Sequence, residues 1–169
     1  MKYLLTTLTL AALVLLVPAQ AQFLPSPQLC NATQIEGAAE GSVEGRGTFA
    51  LTLDVACQPD AADAAFPQGT LTLDLELNDP QFKGQINATL IEGARTVGRN
   101  TPTVYLSGRC EMPGIHGCRF WLSVADNDHF DEEGVPDVVS FVALDAQGRE
   151  VAYLSAPTSR SSVSAQTSP

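Results

Sequence analysis

The dominant pattern along this chain is an alternation of apolar and polar residues that begins after Gly45. The apolar runs occupy residues 49–55, 71–77, 86–90, 104–108, 118–125, 138–144 and 150–154. Successive side chains of a β-strand point to opposite sides of the sheet, so a period of two marks a strand with one buried face. The pattern therefore predicts seven strands, each of which buries one face.

Turn-forming residues separate these runs and predict an antiparallel arrangement. Proline and glycine adjoin at Pro113-Gly114, and Gly148 can adopt the positive φ that closes a short hairpin over 145–148. Outside the first 21 residues, no window of the chain keeps a helical period. We therefore expect an all-β fold, an antiparallel β-sandwich or small barrel of about seven strands, over residues 45–155.

The first 21 residues have a different pattern. Lys2 precedes an apolar run from Leu4 to Val17, and Ala19-Gln20-Ala21 follows. A basic start, a short apolar core and an A-x-A site are typical of a secretory signal peptide, and the run is too short to span a membrane comfortably. We therefore expect cleavage after Ala21 and a protein that is secreted, periplasmic or associated with the cell envelope.

The segments that flank the predicted domain lack a strand pattern. Residues 22–44 are rich in Pro, Gly, Ala and Gln, and we expect an irregular N-terminal arm there. Residues 156–169 are nearly all Ser, Thr, Ala, Gln and Pro. Such a tail buries too little apolar surface to offset the entropy of ordering it, so we expect it to be disordered.

Four cysteines lie beyond the predicted signal peptide. An even number of cysteines in an exported chain predicts disulfides, here two. Four cysteines allow three pairings, and we favour Cys110–Cys118 because the residues between them have the character of a hairpin loop. The same choice pairs Cys30 with Cys57. A metal site is the alternative, but the chain has no C-x-x-C spacing.

The charge balance restricts the possible partners. The chain has 9 basic and 19 acidic residues, a formal net charge of −10. Nucleic acids and anionic membranes attract basic surfaces, so neither is expected as a partner, and no membrane span is expected after residue 21. Envelope or surface proteins are the expected partners.

The densest cluster of carboxylates lies between two predicted strands, over residues 126–137. Calcium takes six to eight oxygen ligands from flexible loops, and this loop has Asp and Glu around a glycine. The candidate calcium ligands are Asp126, Asp128, Asp131, Glu133 and Asp137. Additional residues before Asp131 and before Gly134 depart from the regular calcium-loop spacing. We therefore favour a solvated acidic hairpin loop without a cofactor, with a Ca²⁺ site as the alternative.

Evidence for catalysis is weaker. His116 and His129 are the only imidazoles, and a copper or zinc centre would need a third ligand such as Asp128 or Asp131. No G-x-S-x-G nucleophile elbow is present. Trp121 follows Phe120 in a predicted strand, which favours packing in the core or on a sheet face over ligand stacking. No catalytic residue is predicted.

Short strand motifs recur between residues 69 and 153. They are GTLTLD at 69–74, GQINAT at 84–89, VYLSG at 104–108, FWLSVAD at 120–126 and GVPD at 134–137. In this cadence the segment resembles small secreted bacterial all-β modules of unassigned function. The resemblance implies an all-β fold and a non-catalytic role, and it implies no site residues.

Together these observations predict a secreted or envelope-associated, non-catalytic β-domain with a structural or protein-binding role. Two alternatives remain open. One is a calcium-binding surface module that uses the 126–137 loop, and the other is a small copper or zinc metalloenzyme. An exposed strand edge could also recruit a partner by strand addition.

Overall fold

The structure is a computed structural model that describes residues 30, 32–57, 66–78, 83–98, 102–127 and 134–166. The described residues form nine strands: β1 (Gln34–Val43), β2 (Gly47–Ala56), β3 (Gln68–Leu77), β4 (Lys83–Val97), β5 (Thr103–Met112), β6 (Ile115–Ala125), β7 (Val138–Leu144), β8 (Glu150–Ser161) and β9 (Ser164–Gln166). The predicted signal peptide and residues 22–29 of the predicted arm lie outside the described residues.

The strands form a closed up-and-down barrel. Each strand from β1 to β8 is antiparallel to the next one in the chain. Strand β8 then pairs with β1, and β9 continues beside the start of β1. The prediction of an antiparallel all-β fold stapled by two disulfides is confirmed. Of its two forms, the structure is the small barrel, with eight strands in the closed ring and β9 in addition.

The inward positions of the strands are apolar and fill the barrel. Buried leucines on β2 and β3, among them Leu51 and Leu73, face aromatic and aliphatic residues from β5 to β8. The rings of Phe120 and Phe141 stack with their centroids 6.0 Å apart. An eight-stranded barrel has an interior just wide enough for side chains to fill, so the alternation of apolar residues builds one continuous core.

Two ends of the barrel can be distinguished. At the hairpin end lie the turns β1–β2, β5–β6 and β7–β8, and Gly148 has a φ of 77° in the last of them. At the terminal end lie Cys30, β9 and the connections β2–β3, β4–β5 and β6–β7. The end of β6 and the start of β7, which flank the acidic 126–137 segment, therefore lie at the terminal end, and His116 lies near the hairpin end.

Both predicted disulfides are present. Cys110 lies directly opposite Cys118 on β5 and β6, with 4.9 Å between their Cα atoms, and both side chains are fully buried. Cys30 is bonded to Cys57 at the end of β2, and its backbone also forms a bridge with Ala94 of β4. The second disulfide therefore fixes the chain entering β1 at the terminal end of the barrel.

Two predicted boundaries are wrong, and the first is the irregular N-terminal arm. From Gln34 to Val43 the chain forms β1, which pairs with β2 along its whole length. Its inward residues include Ile35, Ala39 and Gly41, which are buried but mostly small. Small side chains give a weak hydrophobic pattern, so the period of two is hard to recognise although the strand exists.

The second wrong boundary is the disordered tail. Strand β8 continues to Ser161, and β9 follows. Serine side chains assist the closure with β1: Ser162 Oγ accepts a hydrogen bond from Ala38 N at 3.2 Å, and Ser159 Oγ donates to Glu40 O. The backbone of Ser162 and Val163 passes so close to Gly37, whose φ is 139°, that a Cβ would collide with it. Backbone pairing with an existing edge orders this polar segment without much apolar burial.

Candidate functional site

The base of the acidic loop is closed by polar contacts. Ala125 pairs with Val138, so Asp126 and Asp137 lie across from each other where β6 ends and β7 begins. Asp137 is buried, and its Oδ1 accepts a hydrogen bond from Asn127 N at 2.9 Å. Asp137 therefore closes the base of the loop, which is a structural role.

The rest of the predicted calcium set cannot be placed. Asp128, Asp131 and Glu133 lie outside the described residues, so the calcium alternative stays a prediction. Within the described residues, no group of three His, Cys, Asp or Glu side chains is arranged to hold a metal ion.

The predicted histidine centre can be placed only in part. His116 is 86% exposed at the hairpin end, where its Nδ1 lies 4.0 Å from Glu111 Oε1. Its proposed partner His129 lies outside the described residues. The described geometry thus gives His116 one carboxylate neighbour and no further ligand.

A cleft of about 430 Å³ lies beside His116, between the β5–β6 and β7–β8 turns. Its most buried carboxylate is Asp145, which accepts hydrogen bonds from Arg149 N and Gln147 N at 2.9 Å. The Arg149 guanidinium also contacts it at 2.7 Å. The Arg149 backbone N–H, assisted by these other donors, holds the pKa of Asp145 below its ordinary value. Asp145 thus organises a turn.

A shallow groove of about 520 Å³ runs over the outer side of β1 to β4. Three carboxylates from two strands surround it, namely Glu40 of β1 and Asp74 and Glu76 of β3. Neighbouring polar side chains bond to one another: Gln85 Nε2 donates across to Asp74 Oδ1 of β3 at 3.1 Å, and Asn87 Nδ2 donates to Gln85 Oε1 of the same strand at 3.2 Å. We call the outward residues of β1 to β4 up to Asn87 the acidic face. Its polar groups largely satisfy one another.

The outer side of β5 to β8 is different, because it carries large aromatic side chains. Trp121 lies directly opposite Val142, and Val142 lies directly opposite Tyr153. Tyr105 is diagonal to Trp121, since its own partner is Ser123. The exposed fractions of Tyr105, Trp121 and Tyr153 are 47%, 45% and 45%. We call these four residues, Tyr105, Trp121, Val142 and Tyr153, the aromatic face.

The position of Trp121 follows from the pleat of β6. Phe120 and Leu122 point inward and are buried, so the residue between them must point outward. Trp121 therefore lies on a sheet face and not in the core. The aromatic cluster was not predicted from the sequence. Its signal was the outward phase of three aromatic residues, which can be recognised only when the strand register is known.

Two arginines of β5 and β6 lie beside the aromatic face. Arg109 and Arg119 are directly opposite each other on β5 and β6, and we call them the arginine pair. Glu92 Oε1 lies 3.0 Å from Arg109 Nε and 3.7 Å from Arg119 Nη2. Both guanidinium side chains are more than half exposed. Two cations thus share one carboxylate at the edge of an aromatic surface.

In the part of the chain that the structure describes, no helix has the length and apolarity to cross a membrane. Comparison with models of protein families, with curated proteins and with solved structures finds no match to this chain. The candidate site must therefore be judged from its own geometry, and the aromatic face with the arginine pair is the most distinctive feature of the described surface.

Proposed function

We propose that this chain is an exported, non-catalytic binding domain that acts at the cell envelope or outside the cell, and that the aromatic face contacts its partner. Export is supported by the pattern of residues 1–21 and by two disulfides, since disulfides persist mainly in oxidising compartments. A binding role is supported by the composition of the outer surface.

The observation that carries this proposal is the joint exposure of Trp121, Tyr153 and Tyr105. They are every Trp and Tyr that follows residue 21, and all three lie on neighbouring outward positions of one side of the barrel. Single exposed apolar residues are ordinary, whereas clustered ones mark interaction surfaces. Trp and Tyr also dominate the binding energy of known interfaces, together with Arg.

The barrel makes this surface suitable for binding because it holds the rings in fixed positions. Every strand under the aromatic face has paired neighbours on both sides, and the inward residues between the exposed rings are buried. A preorganised surface loses little conformational entropy when it binds. The available chemistry is ring stacking, hydrogen bonding and ion pairing, which suits recognition.

A retention experiment tests this proposal. The labelled purified protein is incubated with cell envelopes of the producing organism, and the retained fraction is measured. We expect the variant W121A/Y153A to bind at least about thirtyfold more weakly, because truncating one hot-spot residue alone costs about 2 kcal/mol. The matched control is T48A/T52A, which changes two exposed outward residues of β2 and should bind like the unmodified protein.

Equal retention of the two variants would contradict the proposal. Circular dichroism and a thermal melt must first show that W121A/Y153A keeps the fold. Its two positions are outward, so the melt should change little.

A further inference from the structure

The arginine pair is unfavourable for folding alone. Like charges directly opposite each other in an antiparallel sheet destabilise it, and this chain has only 9 basic residues against 19 acidic ones. An outward position on β5 or β6 could hold a threonine or an acidic residue, as the outward positions of β2 and β3 do. A local conflict of this kind points to a requirement other than stability.

Glu92 reduces this repulsion without removing it. Its Oε1 contacts both guanidinium groups, so one negative charge is shared between two positive charges. Each guanidinium has five N–H donors, of which a single oxygen can engage only a part. The Arg109 and Arg119 side chains are 57% and 58% exposed, so the remaining donors are accessible to a ligand.

The register sets the arginine pair beside the aromatic rings in two parallel rows. The first row contains Ser107, Trp121, Val142 and Tyr153, and the second contains Arg109, Arg119 and Leu144. Residues two apart on one strand face the same side and lie about 7 Å apart, so the basic row runs next to the aromatic row. A ligand that lies along the rings therefore has one side next to the arginines.

On this basis we propose that the partner is an acidic polysaccharide, whose sugar rings stack on Trp121 and Tyr153 and whose carboxylate or sulfate groups pair with Arg109 and Arg119. This inference rests on the proposed function and names the partner of the same surface. Guanidinium groups bind carboxylates and sulfates in a charge-assisted, bidentate manner. A sugar ring offers an apolar face to an aromatic ring and carries its acidic substituent at its edge.

The spacing of the two strands favours an extended polymer. Trp121 and Tyr153 lie two strands apart at the same level, so their backbones are about 10 Å from each other. This separation is comparable to the length of one disaccharide unit in an extended β-linked chain. Glu150 lies at the β8 end of the basic row, and Glu111 follows Arg109 outward on β5, so acidic residues border the arginine pair at these two positions.

The charge distribution adds a further argument. Five acidic residues line the outward positions of β1 to β3: Glu36, Glu40, Asp54, Asp74 and Glu76. A polyanion is therefore repelled by the acidic face and is oriented toward the arginine pair.

The test uses calorimetric titration of the purified protein with a panel of acidic polysaccharides: β-1,4-linked polyglucuronate, alginate, hyaluronate and polygalacturonate. Cello-oligosaccharides serve as neutral ligands of the same linkage as polyglucuronate. We expect binding of at least one acidic polymer, weaker binding at high salt, and weaker binding of the neutral ligands.

Two double variants separate a specific arginine site from overall charge. R109Q/R119Q should weaken binding of the acidic polymer at least about tenfold, because the variant loses charge-assisted hydrogen bonds, which contribute more binding free energy than neutral ones. K83Q/R160Q removes the same charge at and beside the acidic face, because exposed Lys83 lies opposite Glu76 and exposed Arg160 of β8 lies opposite Glu40. This control should bind within about twofold of the unmodified protein.

Three results would overturn this inference. They are equal losses in the two double variants, equal affinity for neutral and acidic ligands, and no binding of any member of the panel. If no polysaccharide binds while envelopes still retain the protein through Trp121, and protease treatment of the envelopes abolishes this retention, the partner is a protein. In that case the proposed function stands and the polysaccharide inference fails.

Discussion

The acidic face and the aromatic face cover the same core but have opposite compositions. On β2 and β3, inward leucines alternate with outward Thr, Asp and Glu. On β5 to β8, the inward residues are equally buried, but the outward ones include Trp121, Tyr153 and the arginine pair. The interior is thus uniform around the barrel, and the difference is confined to the outside.

Under the proposed function, this difference means that folding and binding use separate sets of positions in this barrel. Inward residues are selected for burial and packing, whereas outward residues on paired strands need only to be compatible with a strand. The acidic face meets this minimal need with polar side chains that bond to one another, such as Asn87 and Gln85. The aromatic face carries large exposed rings that a strand does not need in order to fold, and for this reason we propose that it binds a partner.

The largest expected effect compares two neighbouring residues under and on the aromatic face. Phe120→Ala should lower the free energy of unfolding by about 3–5 kcal/mol, because it leaves a cavity in the core next to Phe141. Trp121→Ala should lower it by less than about 1 kcal/mol, because the ring is half exposed. Urea unfolding measures both values. Similar losses in the two variants would show that the aromatic face is part of the folding core.

The two disulfides give the next largest effects, one in each half of the barrel. In the loop-entropy model, C30A/C57A should cost about 3.5 kcal/mol and C110A/C118A about 2.5 kcal/mol, because the first pair closes a longer loop. Urea unfolding without reductant measures these costs. A larger loss in C110A/C118A would mean that packing of the buried sulfurs contributes more to stability than the loop entropy does. The β5–β6 side of the barrel would then depend more on its disulfide than the β1–β2 side does.

A smaller effect should distinguish two turns at the hairpin end by the pH dependence of their contribution to stability. The β7–β8 turn, which joins two strands that carry the aromatic face, is closed by the side chain of Asp145. The β1–β2 turn is instead closed by the backbone hydrogen bond from Arg46 N to Val43 O at 2.8 Å. The Arg149 backbone N–H holds the pKa of Asp145 below its ordinary value of about 3.9. The folded state therefore binds fewer protons than the unfolded state just below that value.

The stability that Asp145 contributes is consequently complete above the ordinary pKa and is lost as the pH falls through the lower folded pKa. Asp145→Asn should lower the melting temperature at pH 5 to 7, and the difference from the unmodified protein should shrink below about pH 4. Thermal melts across this range measure it. A difference that stays constant down to pH 2 would show that the charge of Asp145 has no role in the turn.

The smallest effects compare polar contacts on the acidic face with a polar pair on the outer side of β7 and β8. Asn87→Ala removes contacts with Thr72 and Gln85 on the acidic face and should cost about 0.5–1 kcal/mol. Ser155→Ala removes a single contact with Ser140, whose Oγ lies 3.0 Å from that of Ser155, and should cost about 0.5 kcal/mol. Chemical unfolding measures both. If Ser155→Ala cost more than Asn87→Ala, the strands β7 and β8 would depend on surface hydrogen bonds more than the acidic face does.

Much of the fold could be predicted because its signals are local. The seven predicted strands correspond to β2 to β8, since large apolar residues alternate along each of them. The Cys110–Cys118 disulfide was also predictable, because a short hairpin brings its ends together whatever the rest of the chain does. Strand β1 was missed because Ala39 and Gly41 are small, and the end of β8 was missed because Ser159 and Ser161 are polar.

The candidate site was less predictable. The 126–137 loop was predicted as a candidate site because its carboxylates are close together in the sequence. In the structure, however, Asp137 accepts a hydrogen bond that closes the base of this loop. The aromatic face was missed because Tyr105, Trp121 and Tyr153 come from different strands. The sequence contains each residue but does not show which ones are neighbours.

The sequence by itself determined which residues of the seven predicted strands face inward, because alternation fixes the phase of each of these strands, and it favoured the cysteine pairing that the structure shows. Only the tertiary structure decided that the sheet closes into a barrel, because closure depends on backbone hydrogen bonds between β1 and β8 that no side-chain pattern encodes. It also decided which outward residues meet. A slip of one residue in the pairing of β6 or β8 with β7 would move Trp121 or Tyr153 to the other side of the sheet, so the aromatic face exists only through the register of these strands.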